Sequence, residues 1–304
     1  MNKFRLVFRT FALVGLFFTF SVTANALASR TYVSSGGDDI NPCSRTAPCK
    51  TFTGALSKTN TGGEINCIDP SGYGTVTINK SITIDCEDTQ GAILGSSGVT
   101  GVTISLTDPA DTAKNVRLRG LEIYGAGTGV HGIRITAANK LVLEEIVIDG
   151  FSSHGITIET ASGAFNLVVK KTTIRNNATN GINTALSGAA TATIFVTDSL
   201  VAGNAIGLSQ NSAVTSIVQN STFTGNTTGL QANGSTSILA VKTCQISHST
   251  TGINALSSAV IRIGDNIITG NTTGLSGTNI YTWQGNLVDG NGANGSNNGN
   301  AAAQ

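Results

Sequence analysis

Three histidines occur in the chain, and two of them share a setting. His131 and His154 each stand directly before a Gly-Ile pair, and Asn180 fills the same place one interval further on. Arg134 follows His131 within the alternating stretch Gly132-Ile133-Arg134-Ile135. Asp149 and Arg175 occupy a second matched position, ahead of His154 and Asn180, in phase with Tyr124. A neutral imidazole is a general base, and a guanidinium near it can stabilise a developing oxyanion. Together they are the minimum for removing a proton beside a carboxylate, the first step of a β-elimination. If the two histidines lie in neighbouring layers ~4.8 Å apart, they resist double protonation, so one ring stays neutral at neutral pH. The candidate catalytic set is therefore His131, His154, Arg134, Asp149 and Arg175. The opposing reading is that the histidines only fill a turn. Their column contains no Asp, and inverting glycoside hydrolysis needs two carboxyl groups ~6.5–9.5 Å apart.

Other ionisable residues form columns of alternating sign. Arg119, Glu144, Lys170, Thr197, Gln219 and Lys242 recur at one phase, with Glu145, Lys171 and Asp198 beside them. Such columns make cross-strand ion pairs worth ~0.2–1 kcal/mol each. Glu144-Glu145 is a carboxylate pair that could act catalytically or take Ca²⁺, but no convincing ligand set surrounds it, and no cofactor or metal is expected. A further column, Arg117, Val142, Val168, Phe195, Ile217, Ala240 and Arg262, would form an outward apolar stripe bounded by arginines. It could serve a partner or a side-by-side oligomer; otherwise the chain is a monomer, or a turn covers the stripe.

These residues are positioned by a repeat. Thr224-Gly225-Asn226-Thr227-Thr228-Gly229-Leu230 recurs as residues 269–275, with a degenerate copy at 247–253 between them. The period is therefore 22 to 23 residues, the mark of a solenoid whose repeats bury a core only by stacking. The Gly of each Gly-(Ile/Leu) pair falls at Gly132, Gly155, Gly181, Gly207, Gly229, Gly252 and Gly274. A first strand of alternating apolar residues follows each. A second strand comes next, as in Leu141-Val142-Leu143 and Ile194-Phe195-Val196, and a short third one ends near Ile148, Ile174, Val201, Phe223, Ile246 and Ile268. With no helical periodicity in the repeats, the fold class is all-β, a parallel β-solenoid of about ten coils of three short strands. Ile133, Ile156, Ile182, Leu208, Leu230, Ile253 and Leu275 should stack inward as one aliphatic column.

The rest of the chain divides around the repeats. Residues 1–28 combine Lys3, Arg5 and Arg9, an apolar run from Phe11 to Phe20 and an Ala-x-Ala exit. This reads as a cleavable signal peptide rather than an anchor, because the run is shorter than the ~20 residues of a spanning helix. The chain would then be secreted, periplasmic or on the cell surface. Beyond it, 15 basic residues face 17 acidic ones, and five of the 11 Phe remain. Nucleic acid is excluded as a partner by that balance. Residues 29–60 hold a strand, a loop between Cys43 and Cys49, and one helix over Lys50 to Lys58 that should cap the solenoid. In an exported protein, Cys43 and Cys49 pair as a disulfide. Cys67 and Cys86 could sit in adjacent coils and pair, while Cys244 reads as a buried small hydrophobe. Residues 61–291 are the β-helix, in which Leu106 to Lys114 should form a protruding loop. Residues 292–304, rich in Asn, Gly and Ala, read as a disordered tail.

The Gly-(Ile/Leu) strand, the Asn ending each repeat, and an opening of Phe52 to Lys58, Gly62-Gly63-Glu64-Ile65 and Gly72-Tyr73-Gly74 resemble the pectate-lyase-like superfamily. The resemblance covers roughly Tyr32 to Asn291. It implies a single right-handed parallel β-helix, a hand that parallel crossovers favour in any case. It also implies a structural Asn ladder of Asn177, Asn204, Asn226, Asn271 and Asn291, with Ser249 in one coil. Polygalacturonase-like members carry their acids just ahead of the Gly strand. Here Val130-His131-Gly132 and Ser153-His154-Gly155 match only the His-Gly half, and the calcium ligands of pectate lyases are missing. Three readings stay open: a non-catalytic scaffold binding a polysaccharide or cell-surface glycan, a polysaccharide lyase or glycoside hydrolase with a non-standard site, and a structural or adhesive surface protein. Mature aromatics are few, which weakens the first two, since sugars commonly stack on aromatic rings.

Overall fold

The computed structural model describes residues 27–211 and 213–299. The expected signal peptide lies outside the described residues except for Leu27 and Ala28, as do the last five residues of the chain. Among the described residues there is one helix, and it is too short to cross a membrane.

The chain winds as a right-handed parallel β-helix of about nine turns. Each turn passes from a first strand to a second and a third, and like strands stack into three parallel sheets of nine, eleven and ten strands. The repeat dictates this, because a period-two strand buries one face only if equivalent residues of the next coil cover it. The aliphatic column forms as expected: Ile133 aligns with Ile156, Ile182, Leu208, Leu230, Ile253 and Leu275 in unbroken register. All seven are buried.

The repeating Gly has a steric cause. A Cβ built at Gly207 would lie 2.5 Å from the carbonyl oxygen of Gly229 in the next coil, so a side chain there would wedge the coils apart. The corner between second and third strands is a single left-handed residue, met by Glu145, Lys171, Asp198, Asn220, Thr243 and Asp265 in successive coils. The residue after it forms a second ladder, not anticipated from the sequence. Ser199 Oγ accepts from Thr172 N–H, Ser221 Oγ from Ser199 N–H, and Asn266 Oδ1 from Cys244 N–H. Cys244 therefore takes a place held by Thr172, Ser199, Ser221 and Asn266 in other coils and by Ile146 in one. It is buried, as expected, but its Sγ also donates to the Lys242 carbonyl at 3.2 Å, as Ser221 Oγ does to Gln219.

At the N-terminus the helix α1 (Phe52–Lys58) is shorter than expected, because Thr51 caps it by accepting from Gly54 N–H at 2.9 Å. It buries Phe52, Ala55 and Leu56 over the open end, with Phe52 against Tyr73. Both cysteine pairs are disulfides, with Cα atoms 4.6 Å apart at Cys43–Cys49 and 4.9 Å at Cys67–Cys86. The second joins the first two coils. In the loop after Leu106 the tip is exposed, but Asp111 turns inward and accepts from Ser81 N–H and Oγ at 2.6 and 2.7 Å.

The tail differs from expectation over residues 292–299. Gly292 and Ala293 donate to Asn271 and Thr272, and Ala293, Asn294 and Gly299 accept from Gly274, Leu275 and Thr282. The last coil would otherwise leave strand edges unpaired, and this small-residue segment lies close enough to satisfy them. Residues 300–304 lie outside the description.

Candidate functional site

His131 and His154 are brought together as one stacked pair, ring centroids 5.4 Å apart and planes within 3°. Stacking coils in register forces this, since both histidines precede aligned Gly-Ile strands. His154 Nδ1 accepts from Asn180 N–H at 3.3 Å and lies 2.7 Å from Thr179 Oγ1. An amide can only donate, so this ring nitrogen carries no proton. Burial, then the neighbouring His131, push the His154 imidazole down to about 4. Burial also lowers His131, with Arg134 adding to the shift and Glu159 opposing it. Both rings are therefore neutral at neutral pH.

Arg134 lies on the outward face, level with Thr157 and Asn183. It is held by Glu159, Nε to carboxylate 2.8 Å. Glu159 was missed in the sequence, although it continues the outward phase of Thr157 two residues on. It gives the histidine pair the one carboxylate whose charge reaches both rings. Asp149 and Arg175 do not join this group. They face out from the third sheet in register with Tyr124, and Arg175 Nε donates to Asp149 at 2.9 Å while Asn176 Nδ2 donates to it at 3.0 Å. The physical reason is the intervening corner, which turns the chain between Asp149 and His154 onto another sheet. The five candidate residues thus divide between two faces.

The Glu144-Glu145 pair is engaged by cations. Glu144 accepts from Arg117 Nε at 2.8 Å and lies 3.3 Å from Arg119, and Lys171 meets Glu145 at 2.9 Å. No group of three or more His, Cys, Asp or Glu side chains that could hold a metal occurs among the described residues. The apolar stripe faces outward in continuous register from Arg117 to Arg262, with Ile217 its most exposed aliphatic member.

A second concavity lies elsewhere. A groove of about 820 Å³ runs along the corner between third and first strands, from Asn176 to Thr272. Its floor is the Asn ladder: Asn177 N–H donates to Asn204 Oδ1, Asn204 N–H to Asn226 Oδ1, Ser249 N–H to Asn271 Oδ1, and Asn271 N–H to Asn291 Oδ1, all at 3.0–3.1 Å. Ahead of the ladder stands an exposed row, Asn176, Gly203, Gly225, His248 and Gly270, all with positive φ. Behind it stand Ala205, Thr227, Thr250 and Thr272. The lining contains no carboxylate, lysine or arginine. The carbonyls of the exposed residues Gly203, Gly225 and Gly270 and the hydroxyls of Thr227, Thr250 and Thr272 have no hydrogen-bond partner among the described residues. The groove was not foreseen, although its row was legible as the residue before each ladder Asn.

No protein-family model matches the chain, and no curated protein matches it. Among solved structures it is similar to pectate lyase Pel9A, with a TM-score of 0.65 at 12% identity over 86% of this chain and 80% of that one. It is also similar to XylC, solved in complex with xylose, with a TM-score of 0.59 at 10% identity over 84% of this chain and 67% of that one. At these identities the likeness is one of fold.

Proposed function

We propose that the protein is an exported, non-catalytic β-helix that binds a polysaccharide or cell-surface glycan along the corner groove. The observation that carries this is the groove's chemistry. Unpaired carbonyl acceptors recur along the groove and threonine hydroxyls stand in three successive coils of it, a pattern suited to hydroxyl-rich chains and poorly suited to ions. Two disulfides favour an oxidising compartment, and the fold is shared with a pectate lyase and a xylose-bound protein. The test is affinity electrophoresis of the mature protein in gels containing neutral or acidic polysaccharides, followed by reducing-end and unsaturated-product assays on any that retard it. Retardation without product is expected. Retardation by none of them sinks the reading, and product formation replaces it with the second.

That second reading is an acid–base site on the outward face, favoured by the neutral His131–His154 pair beside Glu159 and Arg134. A neutral imidazole can take a proton while Arg134 steadies the resulting anion. If product appears, substituting both histidines with Asn, the residue already present at Asn180, should abolish it with the fold intact.

A further inference from the structure

The groove's left-handed row differs from the equivalent row on the other corner. Between second and third strands the left-handed position is filled by Glu145, Lys171, Asp198, Asn220, Thr243 and Asp265, so this solenoid accepts side chains there. Along the groove the same conformation is filled by Gly203, Gly225 and Gly270, with Asn176 and His248 as the exceptions. Steric exclusion does not account for Gly225, since a Cβ built there meets nothing nearer than 3.9 Å. What a side chain would do at Gly225 is stand in the groove. His248 does stand there, at φ 52° and exposed, its ring 3.5 Å from where a Cβ of Gly270 would lie. A non-glycine residue at positive φ carries a backbone cost that the local fold does not require. His248 is also the one flat ring in the groove lining.

Resting on the glycan-binding reading, we propose that His248 and the bare corner at Gly225 beside it select a linear neutral polysaccharide lying parallel to the solenoid axis. Gly225 and Gly270 flank His248 one coil away on either side, ~4.8 Å each. A sugar ring settles over Gly225, its hydroxyls donate to the free carbonyl there and meet the threonine row, and the next ring packs against the imidazole, which leans over Gly270. With no lysine or arginine in the lining, a uronate carboxylate would lose water without gaining a counter-charge.

The experiment uses the mature full-length protein with mixed-linkage β-glucan and xylan as neutral probes and polygalacturonate and alginate as acidic ones. Three variants are compared: His248→Gly, which opens the row; Gly225→Asn, which fills it with a residue tolerated at positive φ at Asn176; and Lys171→Ala on the other corner. Expected are neutral-probe preference in the wild type, weakening of about tenfold or more in the first two variants, and no change in the third. Urea midpoints should show His248→Gly no less stable than wild type, which separates lost contact from lost fold. If wild type binds and both groove variants bind equally well, the inference fails while the glycan-binding reading stands. Preference for the acidic probes also overturns it. Binding of no probe by wild type overturns both.

Discussion

At the scale of single residues, burial decides how the ionisable groups behave. The His154 imidazole ordinarily titrates near 6.5 and is pushed down to about 4 by burial and by His131. Between those values the unfolded chain binds a proton that the folded chain refuses, so stability rises with pH across the window. The contribution is fully present above about 6.5 and lost as pH falls toward about 4. Urea midpoints at several pH values in that window should fall more steeply with acid in wild type than in the His131→Asn/His154→Asn double variant. Parallel curves would show that the pair does not titrate as its burial implies. Burial likewise pushes the Cys244 thiol up to about 11. The thiolate is the reactive form, so alkylation in native conditions at pH 8 should be negligible and become rapid on adding urea. Cys244→Ser should keep the ladder and alter stability little, since Ser199 and Ser221 already fill that column.

At the scale of the strand and the corner, two kinds of column hold adjacent coils together. The aliphatic column acts through burial, and Ile156→Ala should cost ~2–5 kcal/mol by opening a cavity between coils. The Asn ladder acts through satisfied polar groups. Asn204 accepts from the Asn177 amide at 3.1 Å while its own Nδ2 donates to Asn226 Oδ1 at 3.1 Å. Asn204→Ala leaves buried donors and acceptors without partners, at ~1–3 kcal/mol for each such group. Denaturation midpoints for both variants check these values, and an unchanged midpoint in either would refute that column's role. The exposed ion pairs, such as Lys171–Glu145, should contribute little by comparison.

At the scale of the molecule, nine stacked coils make an object roughly 43 Å long whose stability is a sum over neighbouring layers. The cross-links are concentrated at one end. Cys67–Cys86 spans 19 residues and ties the first coils together, and Cys43–Cys49 holds the loop beside the capping helix. A cross-link closing a loop of ~15 residues contributes ~3 kcal/mol. Reduction should therefore loosen the N-terminal coils first. Hydrogen exchange should report faster exchange through residues 59–94 while the coils beyond about residue 190 keep their protection. Uniform loss along the whole chain would indicate a single cooperative unit instead.

The sequence by itself determined the repeat, the strand phase, the buried column and the Asn ladder. Each of these depends on residue type recurring at a fixed interval, and stacking turns such recurrence directly into contact. Sequence also sufficed to place His131 against His154, because both precede the same strand one coil apart. Tertiary structure decided what lies between columns. Whether Asp149 and Arg175 reach the histidines depends on the direction in which a corner turns, and spacing does not encode that direction. Glu159 enters the histidine group through the reach of its side chain across a coil boundary. The tail at 292–299 is ordered by strand edges that composition does not reveal. The groove is a concavity of the corner itself, formed because glycines leave the exposed row bare, and only the folded backbone shows that a missing side chain is an opening rather than a turn.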